Sequence, residues 1–341
     1  MTTQATLTAD MPQSAAAKAP PTSAESGKRL EHFPAAFFAM VMGFAGLTIA
    51  WEKAEAVLRA DFPFVPWLIG ATTLLFAGLA LIYAAKILLH PGAVRAELRH
   101  PVRLNFMPTI AISLLLLAIV YLHTAPAASQ WLWITGAALQ LGFTLFVINS
   151  WIHHEHFQIL HMNPAWFIPA VGNVLVPVAG VPLGYELTSW FFFSIGILLW
   201  PVLLTIVFNR VLFHQPLPER LMPTLFILIA PPAVGFIAYV RLTGGVDVFA
   251  QFLYFSALFF TLMLTTQVTR FLRIRFYLSW WAYSFPLAAM SIASMLMAET
   301  TGNVGFLYFG FGVLTMLSGI VVLLLVQTVR AVGTRGICMP E

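Results

Sequence analysis

Ten separate stretches of this chain are apolar over about twenty residues, the length a helix needs to cross the roughly 30 Å hydrocarbon core of a bilayer. They lie near 33–51, 65–89, 104–122, 130–150, 165–181, 188–209, 221–241, 248–269, 278–298 and 303–329. No water reaches the bilayer core, so each segment must satisfy its own backbone N–H and C=O groups, which a helix does and an open strand does not. The reading is an all-α membrane protein with ten transmembrane helices. Composition supports it: 60% of the 341 residues are hydrophobic and 9% are charged, against roughly a quarter charged in soluble domains.

The few cations are distributed unevenly among the connections. Lys18, Lys28 and Arg29 precede the first span; Lys86, Arg95, Arg99 and Arg103 fall around the second loop; Arg210 and Arg220 around the sixth. Arg270, Arg273 and Arg275 follow in the eighth, and Arg330 and Arg335 after the last span. Lys53, Arg59 and Arg241 alone lie on the opposite side. Basic residues stay on the cytoplasmic face, so the pattern predicts both termini inside, an even number of spans and an inner-membrane location. The net charge of +4 is spread over loops and forms no dense patch, which fits contact with lipid headgroups and excludes nucleic acid as a partner. Residues 1–30 are rich in Ala, Thr, Ser and Pro and read as a disordered cytoplasmic tail; 31–330 form the membrane domain and 331–341 a cytoplasmic C-terminal tail.

Proline follows a second alternation. Pro34, Pro108, Pro169 with Pro177, Pro231 with Pro232, and Pro286 all fall at or within odd-numbered spans, about sixty residues apart, and even-numbered spans are largely free of it. Proline removes a helix hydrogen bond and displaces a carbonyl, and the freed groups must face protein or water. Five helical hairpins are expected, each a proline-kinked inner helix followed by a regular outer one, with the inner set around a central pore. Packing is the competing use of a membrane proline.

No Asp, Glu, Lys or Arg lies near the middle of any span, where a charge would mark an ion or proton site. Among uncharged polar residues, Asn173, Tyr283 and Ser284 are candidates for the pore lining, with bonding to a neighbouring helix as the alternative. His153, His154, His156 and His161 surround Glu155; a zinc or iron site or a pH sensor is chemically open to them, as is a solvated, capping role at the membrane surface. Cys338 is the sole cysteine, so neither an intrachain disulfide nor a cysteine metal site can form. No cofactor motif is present.

The runs His32-Phe33-Pro34-Ala35-Ala36-Phe37-Phe38, Val171-Gly172-Asn173, Ala230-Pro231-Pro232-Ala233-Val234 and Trp280-Trp281-Ala282-Tyr283-Ser284-Phe285-Pro286 resemble the tellurite-resistance/dicarboxylate transporter family. That family includes bacterial TehA proteins, fungal malate and sulfite carriers and the plant slow-type guard-cell anion channel. The resemblance covers residues 30 to 330. It implies five helical hairpins, a homotrimer with an independent pore in each subunit, and a pore plugged by one phenylalanine, which falls on Phe285. It also implies a basic cytoplasmic mouth at Arg275, beside which Arg273 lies. Relatives usually carry glycine where this chain has Ala36.

The expected pore lining is therefore Pro34, Ala36, Pro108, Asn173, Pro231, Pro232, Tyr283, Ser284 and Pro286, with Phe285 as an apolar gate that excludes water. A core side chain is the ordinary role of any one of thirty phenylalanines. The function expected is a passive channel or uniporter for small inorganic or carboxylate anions, not an enzyme. The alternatives are a proton-linked dicarboxylate or sulfite exporter, which needs a titratable group in the path, and a membrane metalloenzyme on the His153, His154 and His156 group.

Overall fold

The computed structural model describes residues 29–153 and 157–333. Among them there are helices and no strand. In chain order these are α1 (Phe38–Leu58), α2 (Val65–Leu89), α3 (Pro91–Arg99), α4 (Thr109–Val120), α5 (Pro126–His153), α6 (Phe167–Val171) and α7 (Val176–Gly180). Then come α8 (Glu186–Phe213), α9 (Ala230–Thr243), α10 (Val248–Thr265), the single turn α11 (Val268–Phe271), α12 (Ser284–Thr301) and α13 (Val304–Gly333). Nine segments among the described residues are long and apolar enough to cross a membrane, and the apolar stretch Pro164–Gly180 is shorter. The chain is a multi-pass membrane protein.

Burial divides the spans. Ala35–Leu58, Arg103–Val120, Glu219–Thr243 and Leu278–Thr301 bury 72–78% of their most apolar stretch, against 17–39% for the five spans that follow or separate them. In Pro164–Gly180 every residue except Gly172 is buried. Each buried segment packs on the exposed helix after it: α1 on α2, α4 on α5, α7 on α8, α9 on α10 and α12 on α13. The buried segments also close on one another. α1 meets α4, α4 meets α7 and the turn Gly172–Leu175, these meet α9, α9 meets α12, and α12 returns to α1.

Glycine sets the tightest of these approaches. A Cβ on Gly46 of α1 would lie 2.8 Å from the Cβ of Ala288 on α12, and one on Gly43 would lie 2.9 Å from the Cβ of Ser284. Apolar lipid gives helices no hydrophobic reason to associate, so close contact through small residues supplies much of the attraction.

The prolines do not act as the sequence suggests. Each buried segment opens with a 3₁₀ stretch: Ala35–Phe37, Arg103–Phe106, Pro164–Trp166, Glu219–Ile229 and Leu278–Tyr283. Pro34 and Pro108 cap such a stretch or the helix after it, while Pro177, Pro231, Pro232 and Pro286 occupy the first turn of an α-helix. A missing N–H is harmless there, because the first-turn donors have no partner within the helix. Pro223 sits inside the 3₁₀ stretch Glu219–Ile229 of a buried segment, and Pro201 inside the exposed α8.

The broken segment Pro164–Gly180 shows how irregular backbone survives in this setting. The Oγ1 of Thr144 donates to the carbonyl of Pro169 at 2.7 Å, and the Nε2 of Gln140 donates to the same carbonyl at 3.2 Å. The indole N–H of Trp133 donates to Val176 at 2.9 Å. All three donors belong to α5, so one exposed helix satisfies the carbonyls its buried neighbour cannot bond internally.

Candidate functional site

The ring of buried segments encloses a cavity of about 80 Å³ with contributions from all five. Met42 comes from α1, Ile112 from α4, Ile168 and Val171 from α6, Pro231 and Val234 from α9, and Phe285 and Pro286 from α12. The wall is almost wholly apolar and no ionisable side chain belongs to it. Such a space holds few waters and offers an ion nothing to replace its hydration. The Phe285 ring lies against α1, its Cδ2 only 3.4 Å from where a Cβ on Gly46 would stand. Room beside the ring thus comes from Gly46, ten residues beyond Ala36.

Beside this cavity lies a vestibule of about 630 Å³. Ala39, Phe106 and Ala282 border both spaces, so the two adjoin. His32, Lys86, His100, Arg103 and Arg220 line the vestibule together with Glu31 and Glu97. Four of the 3₁₀ starts, Ala35–Phe37, Arg103–Phe106, Glu219–Ile229 and Leu278–Tyr283, lie around it, so the N-terminal, partially positive ends of those segments face the same space.

The rim is held by a buried ion pair that no sequence pattern announces. Lys86 Nζ lies 2.7 Å from Glu97 Oε2, and both side chains are 3% exposed. The same ammonium donates to the carbonyl of Phe33 at 2.7 Å, while Glu97 Oε1 accepts the N–H of Ala35 at 2.7 Å. Tyr83 adds its hydroxyl to Glu97 at 3.2 Å. The extended backbone at Pro34 leaves a carbonyl and an amide on either side unpaired, and the pair from α2 and α3 satisfies both. Charge position alone read Lys86 as a loop cation, and nothing in the spacing of Lys86 and Glu97 marks them as partners.

The predicted site residues separate into two groups. Phe285, Pro231 and Pro286 line the inner cavity, and Pro34 and Ala36 line the vestibule. Pro108, Asn173, Pro232, Tyr283 and Ser284 line neither. Asn173 Nδ2 donates to Thr144 Oγ1 at 2.9 Å and to the Ala170 carbonyl at 2.7 Å, so it faces α5. Ser284 donates to the Trp281 carbonyl at 2.6 Å and fills the contact with Gly43. Tyr283 packs its ring on Phe226, with centroids 4.7 Å apart. Arg273 and Arg275 are exposed and border neither space, and Arg275 N–H donates to Glu219 Oε1 at 3.1 Å.

Of the histidine group, His154, Glu155 and His156 lie outside the described residues. His153 Nδ1 lies 3.0 Å from the Asn149 carbonyl, and His161 Nδ1 accepts the N–H of Gln158 at 3.1 Å, so each is engaged with its own turn. Among the described residues no three His, Cys, Asp or Glu come together as a metal site.

The family profile described as SLAC1, voltage-dependent anion channel, matches residues 32–329, which takes in all five buried segments and the lining of the inner cavity. The chain belongs to the SLAC1 family. Similar proteins include the tellurite resistance protein TehA homolog of Haemophilus influenzae, 30% identical over 85% of this chain and 89% of that protein. An uncharacterised transporter of Methanocaldococcus jannaschii is 27% identical over 89% of this chain and 96% of its own length. The S-type anion channel SLAH3 of Arabidopsis thaliana is 30% identical over 79% of this chain, which spans 44% of the plant protein. Membership makes this a protein of a family of anion channels and transporters.

Proposed function

We propose that this SLAC1-family protein is a passive pathway for small anions, closed by the ring of Phe285. One observation carries the reading: Phe285 lines an apolar constriction built by all five buried segments and adjoining a vestibule that Arg103 and Arg220 line. Anions would gather in the vestibule under Arg103, Arg220 and the helix N-termini. They would pass the constriction only when the ring turns aside and water enters. The inner wall holds no fixed charge to trap an ion, which favours throughput over affinity. Its apolar character also favours weakly hydrated monovalent anions over strongly hydrated ones, because hydration lost in passage is not replaced.

The side that holds the vestibule is the cytoplasmic side in this reading, since residues from the basic loops, Glu31 near the start of the described chain and Ala331 near its end all border it. The assembly is a homotrimer in the inner membrane, each subunit with its own pathway. Purified protein in bilayers tests the function: Phe285→Ala should conduct anions far better than wild type, and unchanged current at equal incorporation removes the gate.

A proton-linked exporter needs a titratable group along the path, and His32 and His100 border the vestibule. The Nδ1 of His100 accepts the N–H groups of Val102 and Arg103, at 3.1 and 3.2 Å. Uptake driven by a pH gradient alone in sealed vesicles would favour this second reading.

A further inference from the structure

The far side of the protein is almost stripped of basic residues, as orientation in the membrane requires, and yet it keeps Lys53, Arg59 and Arg241. Two of the three occupy special positions. On α1, Ala39 and Met42 line the vestibule junction and the cavity, and Lys53 is eleven residues beyond Met42 on the same unbroken helix. That is about three turns, which returns the side chain to the cavity-facing side. On α9, Val234 lines the cavity and Arg241 follows seven residues later, about two turns on. On α12, Glu299 stands fourteen residues beyond Phe285, about four turns.

Lys53 and Glu299 are ion-paired across the ends of α1 and α12. Their side chains are 18% and 36% exposed, so both keep water contact while facing each other. The ring order is α1, α12, α9, and Lys53, Glu299 and Arg241 stand in turn near the outer ends of these neighbours, with Glu52 and Glu55 beside Lys53 on α1. Two other acids on this side are used locally: Glu55 accepts the N–H of Phe62, and Asp247 caps α10 through the N–H of Ala250. Glu299 is instead spent on a cation in pore register.

We propose that Lys53, Glu299 and Arg241 form the outer mouth of the pathway and set how readily anions enter from the outside, with Glu299 holding the charge of Lys53 in check. The inference rests on the channel reading. Glu299 is a specificity-determining residue in this scheme: it lowers the positive potential at the outer opening, so that the vestibule remains the more anion-attracting end. Small permeant anions such as nitrate and chloride are the ligands, met in passage.

The experiment uses the full chain in planar bilayers, in a Phe285→Ala background so that the gate does not limit current, with nitrate as the charge carrier and asymmetric salt. Glu299→Gln should raise nitrate flux entering from the outer side about two- to threefold at low ionic strength, with little change at 1 M salt, as the potential of one freed charge in water predicts. Lys53→Gln, which leaves Glu299 alone, should lower the same flux and shift the reversal potential toward cations. The exchange Lys53→Glu with Glu299→Lys should restore the wild-type values, which separates charge balance from folding. Equal entry rates in all these proteins, or a loss in Glu299→Gln that the exchange does not repair, would overturn the outer-mouth assignment. Absence of nitrate current from every protein, the Phe285→Ala parent included, would instead overturn the channel reading and this inference with it.

Discussion

The vestibule and the inner cavity adjoin each other, and they are built on opposite principles. The vestibule, about 630 Å³, is lined by imidazoles, guanidiniums and a buried ion pair, whereas the cavity beyond it is about 80 Å³ and apolar. A charged mouth acts at a distance by raising the local concentration of anions. An apolar constriction acts only on what is inside it, by withholding water. In the proposed pathway sign selection and closure fall to different residues, and substitutions should separate them.

The largest effect is expected at the constriction. Phe285→Ala should raise anion conductance substantially in bilayer recordings and Phe285→Leu should fall between it and wild type, because leucine still fills part of the space. An ordinary core phenylalanine cut to alanine costs about 3–5 kcal/mol and adds no activity, so a stable, well-incorporated and silent Phe285→Ala protein would erase the distinction between the two spaces.

The rim comes next. Lys86→Met leaves Glu97 charged, buried and without its cation, a loss of about 3–5 kcal/mol, visible as a lower unfolding midpoint in detergent. Lys86→Met combined with Glu97→Met should be far milder, since both charges leave together; an equally damaged double variant would mean that the bonds to Phe33 and Ala35 matter more than the pairing.

Vestibule charge should have a smaller effect, and one that depends on salt. Arg103→Gln with Arg220→Gln should lower anion current about two- to threefold at low ionic strength and much less at 1 M salt. Arg273→Gln with Arg275→Gln should do less, as neither arginine borders the vestibule. A salt-independent loss would point to folding in place of attraction. The smallest change is expected behind the wall: Thr144→Val should cost roughly 1 kcal/mol of stability, the scale of one hydrogen bond between membrane helices, and leave ion selectivity unchanged.

The sequence makes the lengths and places of the spans legible, because a run of twenty apolar residues has one stable use in lipid. It also marks which segments are buried, since proline alternates with the burial that the structure displays. The inward side of each segment is another matter. Helices that are apolar all round carry no directional pattern, so Asn173 and Ser284 looked like pore residues when they in fact face α5 and Gly43. Glycine was the overlooked signal: Gly43 and Gly46 mark where α1 meets α12 and thereby which way Phe285 turns. The 3₁₀ starts and the Lys86–Glu97 pair leave no periodicity to detect, for they answer backbone needs created by the fold itself.

The dependence of Pro164–Gly180 on donors from α5 bears on how the protein enters the membrane. Short and interrupted, this segment would carry unpaired carbonyls into lipid if it moved there by itself. Gln140, Thr144 and Trp133 precede it in the chain, so its partner leaves the ribosome first and is waiting when the broken segment emerges. The pair is thus best regarded as a single unit of insertion, and the order of synthesis supplies what the segment lacks in length.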